Sequence, residues 1–164
     1  MLIGADGYIK LTDFGLSKNN ILGDFDTFSV CGTPEYLAPE VIRKEGHGKA
    51  VDWWCLGSLI YELVHGLPPF YTKNRSELFD RIKKEEPYMT KTWSNALKDL
   101  FAKLFAKSPT ERLSHVGGLK AHPWFQGLDW EKLVDKKINP LFVPVIHCES
   151  DVSHFDREFT TCSI

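Results

Sequence analysis

Apolar residues recur at helical spacing in the middle of the chain. Residues 50–65 carry apolar side chains on most faces, and Gly66 and Pro68 follow them, so the pattern predicts a buried central helix. Residues 76–85 have the spacing of an amphipathic helix. Ser94 is placed to cap a third helix, whose apolar residues lie at helical intervals: Leu97, Leu100, Phe101, Leu104 and Phe105. Pro39 and the three residues after it suit a short helix, so the fold predicted is mainly α.

The two ends of the chain differ from this helical middle. Two short β-prone runs, residues 2–3 and 8–11, flank Asp6-Gly7, which predicts a β-hairpin. Residues 16–36 show no steady period and predict a loop. After Leu133, prolines and scattered aromatic residues predict an extended tail rather than a packed element.

Composition narrows the classes of function. The chain has 164 residues and a net charge of −2, which argues against a nucleic-acid platform or a polybasic membrane surface. No apolar run approaches about 18 residues, so no membrane span is expected, and no signal peptide is apparent. Cys31, Cys55, Cys148 and Cys162 lack metal-binding spacing and suit free thiols in a reducing compartment. We therefore expect a cytoplasmic location, with the nucleus as the alternative.

Three short motifs occur in a fixed order. Asp13-Phe14-Gly15 follows the predicted hairpin, Ala38-Pro39-Glu40 comes 25 residues later, and residues 52–57 (Asp-Trp-Trp-Cys-Leu-Gly) open the central helix. Asp-Phe-Gly alone is weak, since a turn after a strand would explain it. The order and spacing of all three are typical of the activation segment and following helix of a protein kinase.

Longer stretches identify the kinase group. Residues 32–40 (Gly-Thr-Pro-Glu-Tyr-Leu-Ala-Pro-Glu) resemble the end of the activation segment in AGC-type serine/threonine kinases, the group of cyclic-AMP-dependent kinase and protein kinase B. Residues 51–63 and 68–70 resemble the next helix and loop of that group, and residues 129–133, 140–144 and 155–156 resemble its C-terminal extension. The resemblance implies the helical C-terminal lobe of a kinase domain at residues 1–125 and a truncated extension at residues 126–164.

The same resemblance implies ATP and Mg²⁺ as cofactors. Asp13 matches the carboxylate that holds Mg²⁺ on ATP, a hard cation that prefers oxygen ligands. Phe155 matches a tail residue that touches adenine. The implied reaction is phosphoryl transfer from ATP to Ser or Thr of protein substrates with basic residues before the acceptor.

A regulatory site is also implied by resemblance. Ser29 matches the activation-loop phosphosite for an upstream activating kinase, with Thr27 as the nearby competitor. Lys18 matches a position that contacts the phosphate. The alternative is that Ser29 is an ordinary loop hydroxyl.

Substrate recognition is implied at five positions. Val30, Pro34 and Leu37 match an apolar pocket for the residue after the phosphoacceptor. Thr33 matches a threonine that bonds the catalytic aspartate and lysine. Glu62 matches an acidic residue that binds arginine of the substrate, and the alternative is a carboxylate on a helix surface.

Three positions are implied to support the fold. Glu40 should form a buried ion pair with Arg112, whereas two exposed charges would contribute only about 0–1 kcal/mol. Asp52 matches an aspartate that anchors the catalytic loop from the central helix. A helix N-cap is the simpler role for Asp52, and both roles are compatible.

Several kinase motifs are missing from the sequence. It contains no Gly-x-Gly-x-x-Gly, no Val-Ala-Ile-Lys and no His-Arg-Asp, so the phosphate-covering loop, the ATP-contacting lysine and the catalytic base have no positions. We therefore expect residues 1–164 to be inactive alone. The alternatives are a non-catalytic interaction module with a kinase-lobe fold and an incomplete gene record, which the transcript upstream of Met1 distinguishes.

Overall fold

The computed structural model describes residues 1–23 and 25–161. The chain divides into two compact units, here called the helical unit (Leu16–Gly127) and the hairpin–tail unit (Met1–Gly15 together with the residues from Leu128 onward). The structure is rich in helix and has a small antiparallel sheet at its N-terminus, which confirms the predicted fold class. None of the helices in the described ranges combines the length and apolar character needed to cross a bilayer.

The predicted hairpin is present in the hairpin–tail unit. Strand β1 (Leu2–Ile3) pairs antiparallel with β2 (Ile9–Lys10), with Leu2 opposite Lys10. Gly7 lies in the turn at φ 80°, a conformation that glycine adopts without steric cost. The Asp6-Gly7 dipeptide therefore accounts for this turn.

The tail has more regular structure than its sequence predicted. Helix α6 (Trp130–Val134) lies just before the region predicted to be extended, and within that region the described residues form one regular element, the short helix α7 (Arg157–Thr160). An aspartate caps each one: the Asp129 carboxylate accepts from Lys132 N, and the Asp156 carboxylate accepts from Glu158 N. The aspartate caps account for helices that have too few apolar positions to show a period.

The helical unit is built around α2 (Ala50–His65), whose bounds agree with the prediction. Gly66 ends the helix at φ 89° and its N–H donates to Glu62 O at 2.8 Å. Only one side of α2 is buried, through Trp54, Gly57, Ser58 and Tyr61 along its length. The helix is therefore central to the unit, as predicted, but its burial is incomplete, since Leu63 is 77% exposed in the described part of the chain.

The other helices of this unit pack around the buried side of α2. They are α1 (Pro39–Arg43), α3 (Arg75–Lys84), α4 (Asn95–Leu104) and α5 (Val116–Lys120), with 3₁₀ turns at Pro34–Tyr36 and Pro123–Phe125. Helix α3 begins one residue earlier than predicted because Asn74 caps it. Ser94 caps α4 as predicted, accepting from Leu97 N at 3.2 Å. The short helix α5 was not predicted.

Aromatic rings form the centre of the core. Trp54 stacks on Phe70 with ring centroids 5.8 Å apart and meets Phe105 edge-on at 5.1 Å. Tyr61 contacts Phe101 at 5.3 Å, and its hydroxyl donates to Tyr88 O at 2.6 Å. Edge-to-face and offset contacts add about 0.5–1.5 kcal/mol per pair beyond burial. The helices that carry the candidate site residues therefore pack against this aromatic core.

Candidate functional site

An open cavity of about 720 Å³ lies within the helical unit. One wall is the irregular segment that begins at Leu16, and the opposite wall is the first half of α2. Polar side chains from both walls line it, among them Lys18, Ser29, His47 and Asp52. The cavity therefore brings together residues that the sequence analysis assigned to regulation and to scaffold.

Ser29 belongs to a chain of hydrogen bonds on the wall of this cavity. Lys18 Nζ donates to Thr27 Oγ1 at 2.5 Å, and Thr27 Oγ1 lies 3.1 Å from Ser29 Oγ. Ser29 is half-buried, whereas Thr27 is only 9% exposed. The structure thus places the predicted phosphate contact next to the predicted phosphosite, with Thr27 between them.

A β-bridge holds this part of the segment against the loop before α2. Thr27 N donates to His47 O at 3.2 Å, and His47 N donates to Thr27 O at 2.8 Å. Burial and the positive charge of Lys18 lower the pKa of His47, while Glu40 acts in the opposite direction. His47 was not predicted as a site residue, because an isolated bridge between two loops leaves no period in the sequence.

Glu40 and Arg112 form a buried ion pair. Arg112 donates through both terminal nitrogens to the two carboxylate oxygens, at 2.7 and 2.9 Å, and the two side chains are 2% and 0% exposed. The guanidinium also donates to Ala106 O at 3.1 Å and to Ala50 O at 3.0 Å. These four hydrogen bonds satisfy the buried guanidinium and offset the free-energy cost of removing both charges from water. The pair therefore connects α1, which follows the segment that begins at Leu16, to the first residue of α2 and to the residues that follow α4.

The 3₁₀ turn Pro34–Tyr36 is attached to α2 by two further hydrogen bonds. The Tyr36 hydroxyl donates to Glu62 Oε2, and Cys55 Sγ donates to Tyr36 O at 3.3 Å. Burial, followed by the Glu62 carboxylate, raises the pKa of Tyr36 to about 12. Burial raises the pKa of the Cys55 thiol to about 11, which keeps it protonated and able to donate. Glu62 is half-buried, and the hydrogen bond from Tyr36 positions its carboxylate. This partner was not predicted from the sequence.

The predicted apolar substrate pocket is only partly exposed. Val30 is 50% exposed and Pro34 is half-buried, but Leu37 is 8% exposed and packs in the core with Ala38 and Val41. Leu37 therefore presents little surface to a substrate in this structure. Thr33, at the N-cap of the 3₁₀ turn, is exposed and makes no side-chain capping bond.

Asp52 lies inside α2 rather than at its cap. The helix begins at Ala50, and Lys49 occupies the N-cap position without a side-chain capping bond, so the N-cap role for Asp52 is wrong. The Asp52 carboxylate lines the cavity, and limited hydration there raises its pKa.

Asp13 and Phe155, the predicted ATP contacts, lie in the hairpin–tail unit. Asp13 is exposed and has φ 64°, a left-handed conformation that aspartate tolerates. Phe155 is 55% exposed. No cluster of three or more His, Cys, Asp or Glu side chains that could hold a metal occurs in the described residues. Asp13 thus suits one ligand position of Mg²⁺, but these residues do not assemble a complete magnesium site.

Comparison with known proteins identifies the protein family. A family model for the protein kinase domain matches residues 1–125. The chain therefore belongs to the protein kinase family.

Its relatives narrow this assignment. Serine/threonine-protein kinase Sgk1 of Rattus norvegicus is 44% identical over 163 residues, which is 98% of this chain and 38% of the rat protein. The Sgk1 proteins of Xenopus tropicalis and Homo sapiens are each 42% identical over 163 residues. This similarity supports the assignment of the chain to the AGC-type serine/threonine kinase family, as the resemblance predicted. The chain spans less than two fifths of the length of these relatives.

Proposed function

We propose that this chain forms the substrate platform of a kinase that transfers the γ-phosphoryl group of ATP to Ser or Thr of proteins. The observation that supports this most directly is the buried Glu40–Arg112 pair, which fixes the end of the activation segment on the helical core. Phosphoryl transfer depends mainly on positioning and on charge stabilisation. A platform fixed by a buried pair provides the positioning.

Glu62 is the proposed contact for a basic residue before the phosphoacceptor. Its carboxylate is half-buried, and Tyr36 donates to only one of its oxygens, Oε2. A carboxylate accepts several hydrogen bonds, so capacity remains for an arginine of the substrate. Opposite charges in a partly desolvated groove add specificity and association rate.

Peptide preference tests this assignment in a kinase completed with its N-terminal lobe. We expect peptides with Arg shortly before the acceptor and an apolar residue after it to be preferred, and Glu62→Gln to lose the preference for Arg. Glu111→Gln is the matched control, since it removes one exposed carboxylate elsewhere in the helical unit. A parent preference for acidic residues or for proline after the acceptor would contradict the proposal.

Ser29 is the proposed site of activating phosphorylation. It is more accessible than Thr27, whose side chain is buried and whose backbone is bonded to His47 in both directions. Phosphopeptide mapping after treatment with an AGC-activating kinase should find the modification on Ser29 and lose it in Ser29→Ala. Modification confined to Thr27 or Ser17 would refute the assignment.

Residues 1–164 alone are proposed to be inactive. Asp13 and Phe155 are the proposed contacts for Mg²⁺ and adenine, and ATP with Mg²⁺ would supply the group that is transferred. The sequence has no His-Arg-Asp base, and general acid–base catalysis contributes about 10²–10⁴-fold. Purified chain should therefore transfer no label from radioactive ATP to a basic peptide. Transfer that Asp13→Ala abolishes would show a working enzyme, whereas binding of the peptide without transfer would favour an interaction module.

A further inference from the structure

The Thr27–His47 bridge places a titratable side chain beside the proposed phosphosite. A residue pair that exchanges both backbone hydrogen bonds has Cα atoms about 5.5 Å apart, with both side chains on the same face. Ser29 is two residues beyond Thr27, and its hydroxyl lies 3.1 Å from the Thr27 hydroxyl, so it is on that face too. His47 and Ser29 also line the same cavity.

One cation is already close to Ser29 Oγ. Lys18 Nζ is 2.5 Å from Thr27 Oγ1, so its distance from Ser29 Oγ is at most the sum of this value and the 3.1 Å between the two hydroxyls. A phosphate on Ser29 extends two bonds beyond Oγ and carries a charge of about −1.5 to −2 near neutral pH. Lys18 alone therefore leaves part of this charge without a partner.

We propose that His47 joins Lys18, the phosphate contact implied by resemblance, in binding the phosphate of phosphorylated Ser29, and that His47 takes up a proton from solvent when this phosphate is present. The proposal rests on the proposed role of Ser29 and extends it. Before phosphorylation, burial and Lys18 favour the neutral imidazole. A phosphate dianion reverses this balance, because an opposite charge within about 4–6 Å favours the charged form of a titratable group.

Other charged groups around His47 act on it in both states. Lys18 from the activation segment and Glu40 from α1 act on the charge of His47, and Lys49 and Asp52 at the start of α2 line the same cavity. The Glu40 carboxylate is already paired with Arg112 in the core, which leaves the phosphate as the new anion. The change in His47 therefore reports the phosphate and not a rearrangement of existing partners.

The direct test is an NMR titration of the imidazole signals in two forms of the full chain, with serine and with phosphoserine incorporated at position 29. We expect the pKa of His47 to rise by about 1–3 units in the phosphorylated form. His115, which caps α5 by accepting from Gly118 N at 2.9 Å, is the internal reference and should not move. A His47 shift no larger than that of His115 overturns the proposal.

Thermal stability gives a second readout. Phosphorylation should raise the melting temperature more at pH 6.5 than at pH 8.5 in the parent, since His47 loses its proton over this range. His47→Gln should reduce the gain and remove its pH dependence, Lys18→Gln should reduce the gain at both pH values, and His154→Gln should behave as the parent. If His47→Gln keeps the parent's pH dependence, His47 does not bind the phosphate.

These outcomes are separable from those of the phosphorylation assay. Phosphoserine is installed during synthesis of the protein, so the titration result does not depend on any kinase modifying Ser29. If phosphopeptide mapping finds no phosphate on Ser29, the proposed role of Ser29 is refuted. The titration still shows whether His47 binds a phosphate at position 29.

Discussion

The helical unit and the hairpin–tail unit are stabilised in different ways. The helical unit buries a set of aromatic rings and a charged pair, with Trp54, Phe105 and Arg112 each 3% exposed or less. In the hairpin–tail unit, Gly4 is the only residue classed as buried among those described. Two polar contacts join the hairpin to the tail within this unit: Lys136 Nζ lies 2.5 Å from Asp6 Oδ2, and the Tyr8 hydroxyl donates to Ile138 O.

This difference follows the division of proposed roles. The residues proposed to position a protein substrate are held by neighbours in the helical unit: Glu40 by Arg112 in the core, and the half-buried Glu62 by Tyr36. The residues proposed to contact ATP, Asp13 and Phe155, are exposed in the unit with almost no core. Preorganisation in this chain is therefore concentrated at the substrate platform.

The largest expected effect is at the buried pair of the helical unit. Glu40→Ala or Arg112→Ala should lower the free energy of unfolding by about 3–5 kcal/mol, because each leaves an unpaired buried charge. The double variant should lose less than the sum of the two single losses, since it leaves neither charge buried alone. Thermal and urea unfolding of the three variants measure this.

An exposed pair in the same unit is the control. Arg81 bonds Glu77 at 2.6 Å on the surface of α3, so Glu77→Ala should leave the unfolding midpoint nearly unchanged. If Glu40→Ala unfolds at the same midpoint as Glu77→Ala, the contrast between a structural pair and a surface pair fails.

A smaller loss is expected where α2 and α4 approach each other. A Cβ on Gly57 would lie 3.0 Å from Leu104 Cβ and 3.3 Å from a Phe105 ring carbon, so Gly57→Ala overpacks this contact. Overpacking costs about 1–3 kcal/mol, and the better helix propensity of alanine offsets up to about 1 kcal/mol of it. Gly117→Ala in α5 is the control, since the nearest atom is 3.7 Å from its Cβ. Equal stabilities for the two variants would mean that the α2–α4 contact is not tight.

The parts of the fold that sequence predicted are those with a local signal. Helix α2 has its predicted bounds because its apolar run is continuous and a glycine ends it. The Glu40–Arg112 pair was implied by resemblance over a separation of 72 residues, which no local pattern reveals. The sequence did not show which apolar faces of α2 have neighbours, so the exposure of Leu63 was not predicted.

The parts that sequence missed depend on contacts between irregular segments. The His47–Thr27 bridge and the Tyr36–Glu62 bond each join residues 20 or more positions apart, through backbone or hydroxyl groups that carry no periodic signal. The contact between the hairpin turn and the tail is of the same kind. A Cβ on Gly7 would lie 2.8 Å from the Cβ of Pro140, so the tail runs directly over the turn.

The smallest expected effect is at this hairpin–tail contact, and it should be local. Lys136→Met removes the ion pair with Asp6, so amide hydrogen exchange should accelerate in residues 4–8 while the unfolding midpoint of the helical unit stays the same. Lys137→Met is the matched control, because Lys137 pairs with Asp135 within the tail at 2.8 Å. Both side chains of this ion pair are exposed, so added salt should weaken the protection that the pair gives to residues 4–8.

The pH dependence of the same contact has a defined sign. The hydrogen bond from Lys136, followed by the bond from Tyr8 N, lowers the pKa of Asp6 below its usual value of 3.8. A carboxyl group whose pKa is lowered by folding stabilises the folded form above the unfolded pKa, and this contribution is lost as the pH falls through the lower value. Protection of residues 4–8, corrected for intrinsic exchange rates, should therefore fall in acid in the parent and approach that of Lys136→Met. Protection that is equal in the two proteins at pH 7 would show that the ion pair does not hold the turn, and the two units would then differ in core alone.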